Sequence, residues 1–320
     1  MAAVVDWPVS VAAFDVFGDG HADLLDRLRD PIRVAVDGRA GAGRRTVSRA
    51  LRGAGRTVAP PGESAEADVC VHVFVETLNT EERSALGAAV RPTVAVLNKA
   101  DLAGFRGDGP MAVAAQRCRE LQRATAVPTL PLSALLAVAG TDPAVLDADL
   151  VDAIQTLATN PAAVAEGARR RLAVDLDLFG TACVVSAIRC GAGREDLAAL
   201  LRAVSGIDDL CAQIDRAAAV VGYRRLAEVL SALGTADPRA ARMLAGDDVV
   251  LARMSAAAAV VTAAGVSDLV GATGSDHLRR AIHWQRYARG PVSALHKACA
   301  TDIARGSLRL WAREGGVPAR

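Results

Sequence analysis

The chain is 320 residues long, 52% hydrophobic and 23% charged, and its 37 basic residues nearly balance 36 acidic ones for a net charge of +1. That length suits one large or two ordinary domains, the composition excludes a disordered chain, and the charge balance gives a polyanion such as DNA no reason to bind. Aromatic residues are only 3% and alanine is abundant, which favours close-packed helices over β-sandwiches.

Before residue 31 the sequence predicts one helix, His21–Arg29. A β-rich run, Ile32–Asp37, then ends in glycines, and a helix over Arg44–Arg52 is closed by Gly53 and Gly55. Arg56–Ala59 is a minimal strand broken by Pro60-Pro61-Gly62. Val69–Val75 is a strong buried strand, followed by a helix with Thr80 as its N-cap. Pro92–Leu97 is the next buried strand and Met111–Thr125 a long amphipathic helix. Val127–Leu132 carries two prolines and so belongs at a sheet edge; Leu146–Ala158 closes the series. Nearly all-apolar strands alternating with helices predict a parallel sheet covered on both faces, with ligands at the carboxyl ends of its strands.

Two of those strand ends carry chemistry. Gly38-Arg39-Ala40-Gly41-Ala42-Gly43-Arg44-Arg45-Thr46 follows a strand and opens a helix, where glycines, inward amides and a helix N-terminus suit a phosphate group. The pattern G-x-x-x-x-G-K-[S/T] would place Lys at Arg44 and a metal-binding hydroxyl at Arg45; Thr46 is one place late. A guanidinium is not a simple substitute for an ammonium in a tight loop, and Arg45 cannot ligate a cation. The second strand end is Asn98-Lys99-Ala100-Asp101. Here a carboxylate can accept both amino-edge protons of guanine while Asn fixes the loop. With three Asn and two Lys in the whole chain, this tetrapeptide arises by chance on the order of once in a thousand such sequences. Leu132-Ser133-Ala134-Leu135 follows the next strand, at the place of a loop closing over a base.

In these motifs and their order, residues 32–158 resemble the guanine-nucleotide-binding domain of translation-factor-related P-loop GTPases, and more narrowly of dynamin-like GTPases. Leu178–Ala182 and Leu200–Leu210 resemble the helical part of actinobacterial dynamin relatives. The resemblance implies an α/β P-loop GTPase-like domain, a three-layer fold on a parallel sheet, followed by an α-helical bundle. The expected layout is an N-terminal segment with a helix (1–30), a degenerate GTPase-like domain (31–160) and the bundle (161–320). It implies GTP or GDP as ligand. Amides of Ala40–Thr46 with Arg44 would hold phosphates, Asn98 and Asp101 would read guanine, Lys99 would lie along the nucleotide, and Ser133 and Ala134 would close over the base. The family's Asp-x-x-Gly corresponds to Ala59-Pro60-Pro61-Gly62, which keeps Gly62 for the γ-phosphate but loses the Asp that orders magnesium. Only the six residues 53–58 separate the first helix from this point, too few for a first switch with its extra strand. Lys to Arg44, Ser/Thr to Arg45 and Asp to Ala59 together count against magnesium and against hydrolysis, so no catalytic and no metal-binding residue is assigned. The sequence therefore predicts a pseudo-GTPase with a regulatory or structural role, pairing with a competent relative as hetero- or homodimer. Its rivals are a slow GTPase and a scaffold that binds no nucleotide, in which the glycines are only a tight turn and Asp101 a helix cap.

From residue 159 onward there is no strand-like alternation. Helices are predicted over Pro161–Leu178, Arg194–Val204, Asp208–Leu233, Pro238–Ala245, Val249–Ala264, Asp276–Ala288 and Val292–Arg313, with a helix before the nucleotide domain packing against them in the dynamin-like manner. The six cysteines form no C-x-x-C pair and read as small buried residues of a cytoplasmic protein. His277 and His283 lie six apart, off a shared helical face. The cluster His283, Trp284, Arg286 and Tyr287 reads as helix packing, and Arg169-Arg170-Arg171 as a solvated face. No long apolar stretch or insertion segment is present, so membrane association is expected to be weak or absent.

Overall fold

A computed structural model describes residues 22–104, 107–236, 242–268 and 273–315. The chain divides into two compact units. One is built from Ile32–Ile214; the other combines helix α1 (Ala22–Arg29) with the chain after Ile214.

The first unit carries five strands, β1 (Arg33–Gly38), β2 (Thr57–Val58), β3 (Val69–Phe74), β4 (Thr93–Asn98) and β5 (Thr129–Leu132), all parallel in the order β2-β1-β3-β4-β5. Pro131 sits in the edge strand β5, where a missing N–H is tolerated. Helices α2 (Arg44–Gly53), α3 (Thr80–Gly87), α4 (Pro110–Thr125) and α5 (Ala134–Thr141) connect and cover the strands. Alternate residues of β3 and β4 feed opposite cores. Val71, Val73, Val94 and Val96 pack with Val47 and Leu51 of α2 on one face. Phe74, Ala95 and Leu97 pack with Leu86, Ala114 and Cys118 on the other. The result is the expected three-layer arrangement on a parallel sheet. No strand separates α2 from β2, as the short spacing required.

The first unit also runs past the expected boundary at residue 160. Helices α6 (Ala148–Thr159), α7 (Glu166–Asp175), α8 (Asp177–Arg189) and α9 (Arg194–Ser205) enclose a further core with Leu136 of α5, through Leu150, Ile154, Leu172, Leu176, Val184, Leu197 and Leu201. The start of α10 (Ile207–Ala236) adds Ile207, Leu210 and Ile214 to the sheet core. The boundary therefore falls at Ile214. The apolar outer face of α5 and α6 needs covering, and α7–α9 supply the cover. Each arginine of Arg169-Arg170-Arg171 finds a partner here: Arg169 donates to the Val164 carbonyl, while Arg170 pairs with Glu166, and Arg171 with Asp147 and Asp175.

In the second unit Leu25 and Leu28 of α1 pack with α10, α11 (Asp247–Ala263), α12 (Gly274–Ala288) and α13 (Ala294–Arg313) around Leu226, Leu230, Ala257, Trp284 and Ile303. The helix before the sheet thus does pack with helices after it. Trp284 is fully buried, its indole N–H donating to Asp268 Oδ1 at 2.9 Å, and Arg280 caps the same carboxylate. Part of the predicted helix Pro238–Ala245 lies outside the described residues, as does His21. Cys118, Cys211 and Cys299 are buried as expected, but Cys190 is exposed where α8 ends.

Candidate functional site

From β1 the chain passes to β2 on one side, and β3 flanks the other. That reversal opens a crevice at the carboxyl ends of β1 and β3. Gly38 ends β1 with φ +136°, and a β-carbon there would overlap the Val73 carbonyl of β3. Only glycine lets the loop leave the strand this close to its neighbour. The loop turns through Gly41 to Gly43, which caps α2 in the left-handed conformation (φ 90°, ψ 23°). With no side-chain cap, the amides of the first helical turn have no intrahelical acceptor and face outward with the positive end of the helix dipole.

Asn98 binds three segments together. It is 3% exposed at the end of β4, in register with Leu132 of β5. Its Nδ2 donates to the Ala42 carbonyl at 2.8 Å, and its Oδ1 accepts the Ala134 N–H at 3.1 Å. A β-carbon on Gly43 would collide with that Nδ2. The glycine loop, the Asn98–Asp101 turn and the Ser133–Ala134 turn are thereby one assembly. Ser133 is 2% exposed, and its N–H donates to the Ser205 carbonyl, so the α9 terminus fixes the last of these turns. Lys99 is exposed and holds φ +57°, an uncommon conformation for a residue with a side chain.

Asp101 is 7% exposed, yet its carboxylate has no hydrogen-bond or ion-pair partner among the described residues. The short helical turn it belongs to, Ala100–Leu102, has no side-chain cap, so Asp101 is not serving as one. Its oxygens are not among the fully enclosed unpaired atoms, so a carboxylate in a largely buried residue is left open to donors from a ligand.

Three arginines flank the phosphate-type loop, and they differ. Arg39 is held away: its Nη2 donates to the Thr77 carbonyl at 2.9 Å, and its Nε lies 2.8 Å from Glu82 Oε1. The second contact is a close ion pair rather than an aligned hydrogen bond, since Glu82 Oε1 has no hydrogen-bond partner. Glu82 is fixed in turn by a capping box with Asn79, so the cap of α3 is Asn79 and not the expected Thr80. Arg44 and Arg45 are exposed and make no hydrogen bond or ion pair among the described residues. Asp37, the nearest carboxylate in sequence, bonds its neighbour's amide instead, so the loop is not closed by an Arg44–Asp37 pair.

Gly62 is not brought into this assembly. It lies in an exposed turn with open space around it and no backbone hydrogen bond. Ala59 is buried in a small cluster with Ala35 and Ala67. Among the described residues no three His, Cys, Asp or Glu side chains gather where they could hold a metal ion, and no helix is long and apolar enough to cross a membrane. A separate cavity of about 340 Å³ lies between the end of α5 and the start of α9, lined by Gly140, Asp142, Leu146, Arg194 and Glu195; no sequence-predicted site residue borders it.

No family model, curated protein or solved structure matches the chain.

Proposed function

We propose that the first unit binds a guanine nucleotide at the carboxyl edge of its sheet without hydrolysing it, as a pseudo-GTPase of dynamin-like type whose role is regulatory or structural. The observation that carries this reading is the carboxylate of Asp101, a largely buried residue, which has no partner among the described residues and stands beside the Asn98 assembly. The β2-β1-β3-β4-β5 order alone is shared with flavin-binding doubly wound sheets, so strand order does not choose the ligand. Two adjacent N–H donors on one edge of a base, which guanine has and adenine lacks, complement an acceptor-only carboxylate. The loop amides and the N-terminus of α2 suit the phosphates.

Calorimetric titration with GDP and ADP, against an Asp101→Ala variant, tests this. A preference for GDP that disappears in the variant supports it. Equal binding of both, or no binding up to millimolar nucleotide, refutes it and leaves the fold as an interaction scaffold. Sustained magnesium-dependent phosphate release from GTP, lost in the same variant, would select the slow enzyme instead. Pairing with a competent GTPase belongs to the same proposal and is read by co-purification with and without nucleotide.

A further inference from the structure

The resemblance carries magnesium with it, and the residues do not fit that ion. Arg45 stands where a metal-binding hydroxyl would be, and Ala59 where a carboxylate would be, buried against Ala35 and Ala67. The turn that would meet a third phosphate, at Gly62, is exposed and bonded to nothing in the loop. What the loop does have is an uncommitted guanidinium. Arg44, Val47 and Leu51 lie on one face of α2, and Val47 and Leu51 are fully buried against the sheet. Arg44 therefore leaves the helix on its sheet-facing side, at the mouth of the glycine loop. Arg45 shares the opposite, solvent stripe with Arg49 and Arg52, both exposed. Arg39 is occupied by Glu82 and Thr77.

Resting on the guanine-nucleotide reading, we infer that this is a metal-independent diphosphate site, in which Arg44 supplies the positive charge a divalent cation would otherwise bring, and that GDP is its ligand class. A planar guanidinium bonds two phosphate oxygens at once. It needs no hydroxyl or carboxylate to hold it in place, because the backbone does so. A third phosphate finds neither a metal nor a turn bonded to the glycine loop, so GTP gains nothing over GDP.

The test is titration of the full chain with GDP, GTP, ADP and guanosine, each in EDTA and in millimolar magnesium. GDP affinity is expected to change by less than about threefold between the two buffers, and GTP is expected to bind no tighter than GDP. Arg44→Ala should weaken GDP at least about tenfold, as expected for a lost charge-assisted pair, with guanosine unchanged. Arg45→Ala should weaken it much less. Arg44 is exposed, so the variant folds. A tenfold loss of GDP binding in EDTA, GTP binding tenfold tighter than GDP, or equal effects at Arg44 and Arg45 would overturn the inference. GDP preference over ADP with dependence on Asp101 would survive any of these, so that the guanine reading stands or falls separately; absence of all binding overturns both.

Discussion

Replacing Asn98 by Ala removes two buried hydrogen bonds at once, one to the Ala42 carbonyl and one from the Ala134 N–H. Asn98 is 3% exposed and Ala42 and Ala134 are also buried, so water does not replace the lost side chain easily. Each backbone group left unpaired costs about 1–3 kcal/mol, for a total of roughly 2–6 kcal/mol. A domain of this size is stable by about 5–15 kcal/mol, so the first unit stays folded but opens far more often around the site. No Trp or Tyr lies between Ile32 and Ile214, so aromatic fluorescence does not read the first unit. Hydrogen exchange read by mass spectrometry over residues 38–46, 93–101 and 129–141 is the suitable assay. Local opening should accelerate by about 30-fold or more, at tenfold per 1.4 kcal/mol. Asn98→Asp keeps an acceptor for Ala134 but sets a carboxylate against the Ala42 carbonyl, so protection should fall in the glycine loop and largely persist after β5. If Asn98→Ala changes exchange in all three segments by less than threefold, Asn98 does not bind the site together.

Four further outcomes are expected. Gly43→Ala, which forces a side chain into φ +90° and against Asn98, should destabilise the first unit by about 2–4 kcal/mol and abolish nucleotide binding in the same titration. Asp101→Asn keeps the side chain's shape but turns one acceptor into a donor; GDP affinity should drop at least about tenfold while denaturant unfolding of the nucleotide-free protein changes by less than about 0.5 kcal/mol. Asp268→Ala strands both Arg280 and the Trp284 indole N–H, and should cost the second unit about 3–5 kcal/mol by Trp fluorescence in a urea titration. Burial pushes the thiols of Cys118 and Cys299 up to about 12, with Asp302 adding to the effect at Cys299. The unfolded chain then loses these protons first, so stability falls as pH rises from about 9 towards 12, and at pH 8 a thiol reagent should label exposed Cys190 and spare those two.

The sheet was legible because each strand is a short apolar run with turn residues at both ends, and because Gly38–Thr46 and Asn98–Asp101 sit at strand ends. What escaped the sequence had no periodic signature. Helix α5, Ala134–Thr141, is buried around most of its circumference at Leu136, Ala137, Val138 and Ala139, and a helix buried on all sides shows no amphipathic stripe. Helix α8, Asp177–Arg189, was not expected; it is rich in β-branched and small residues and begins at Asp177 with φ +58°. The unit boundary at Ile214 depends on which helices cover Leu136 and Ile154, a tertiary fact that no composition shift announces. The guanine-type motif gave the identity of Asp101 but not its lack of a partner. The difference between Arg44 and Arg45, adjacent and chemically identical, came only from the face each takes on α2.

Helix α1 belongs to the core that also holds Trp284 and Ile303, although the whole of Ile32–Ile214 stands between them in the chain. On the ribosome, Leu25 and Leu28 emerge first and their partners last. At about 5–20 residues per second, roughly 10–40 s pass while the intervening unit alone is made. During that interval the sheet unit can complete itself, whereas the helical unit has one amphipathic helix and nothing to bury its Leu25 and Leu28 face against. The sheet unit is thus an insertion in the birth order of its neighbour, and a nascent chain halted near residue 214 would present α1 to chaperones after the sheet is already finished.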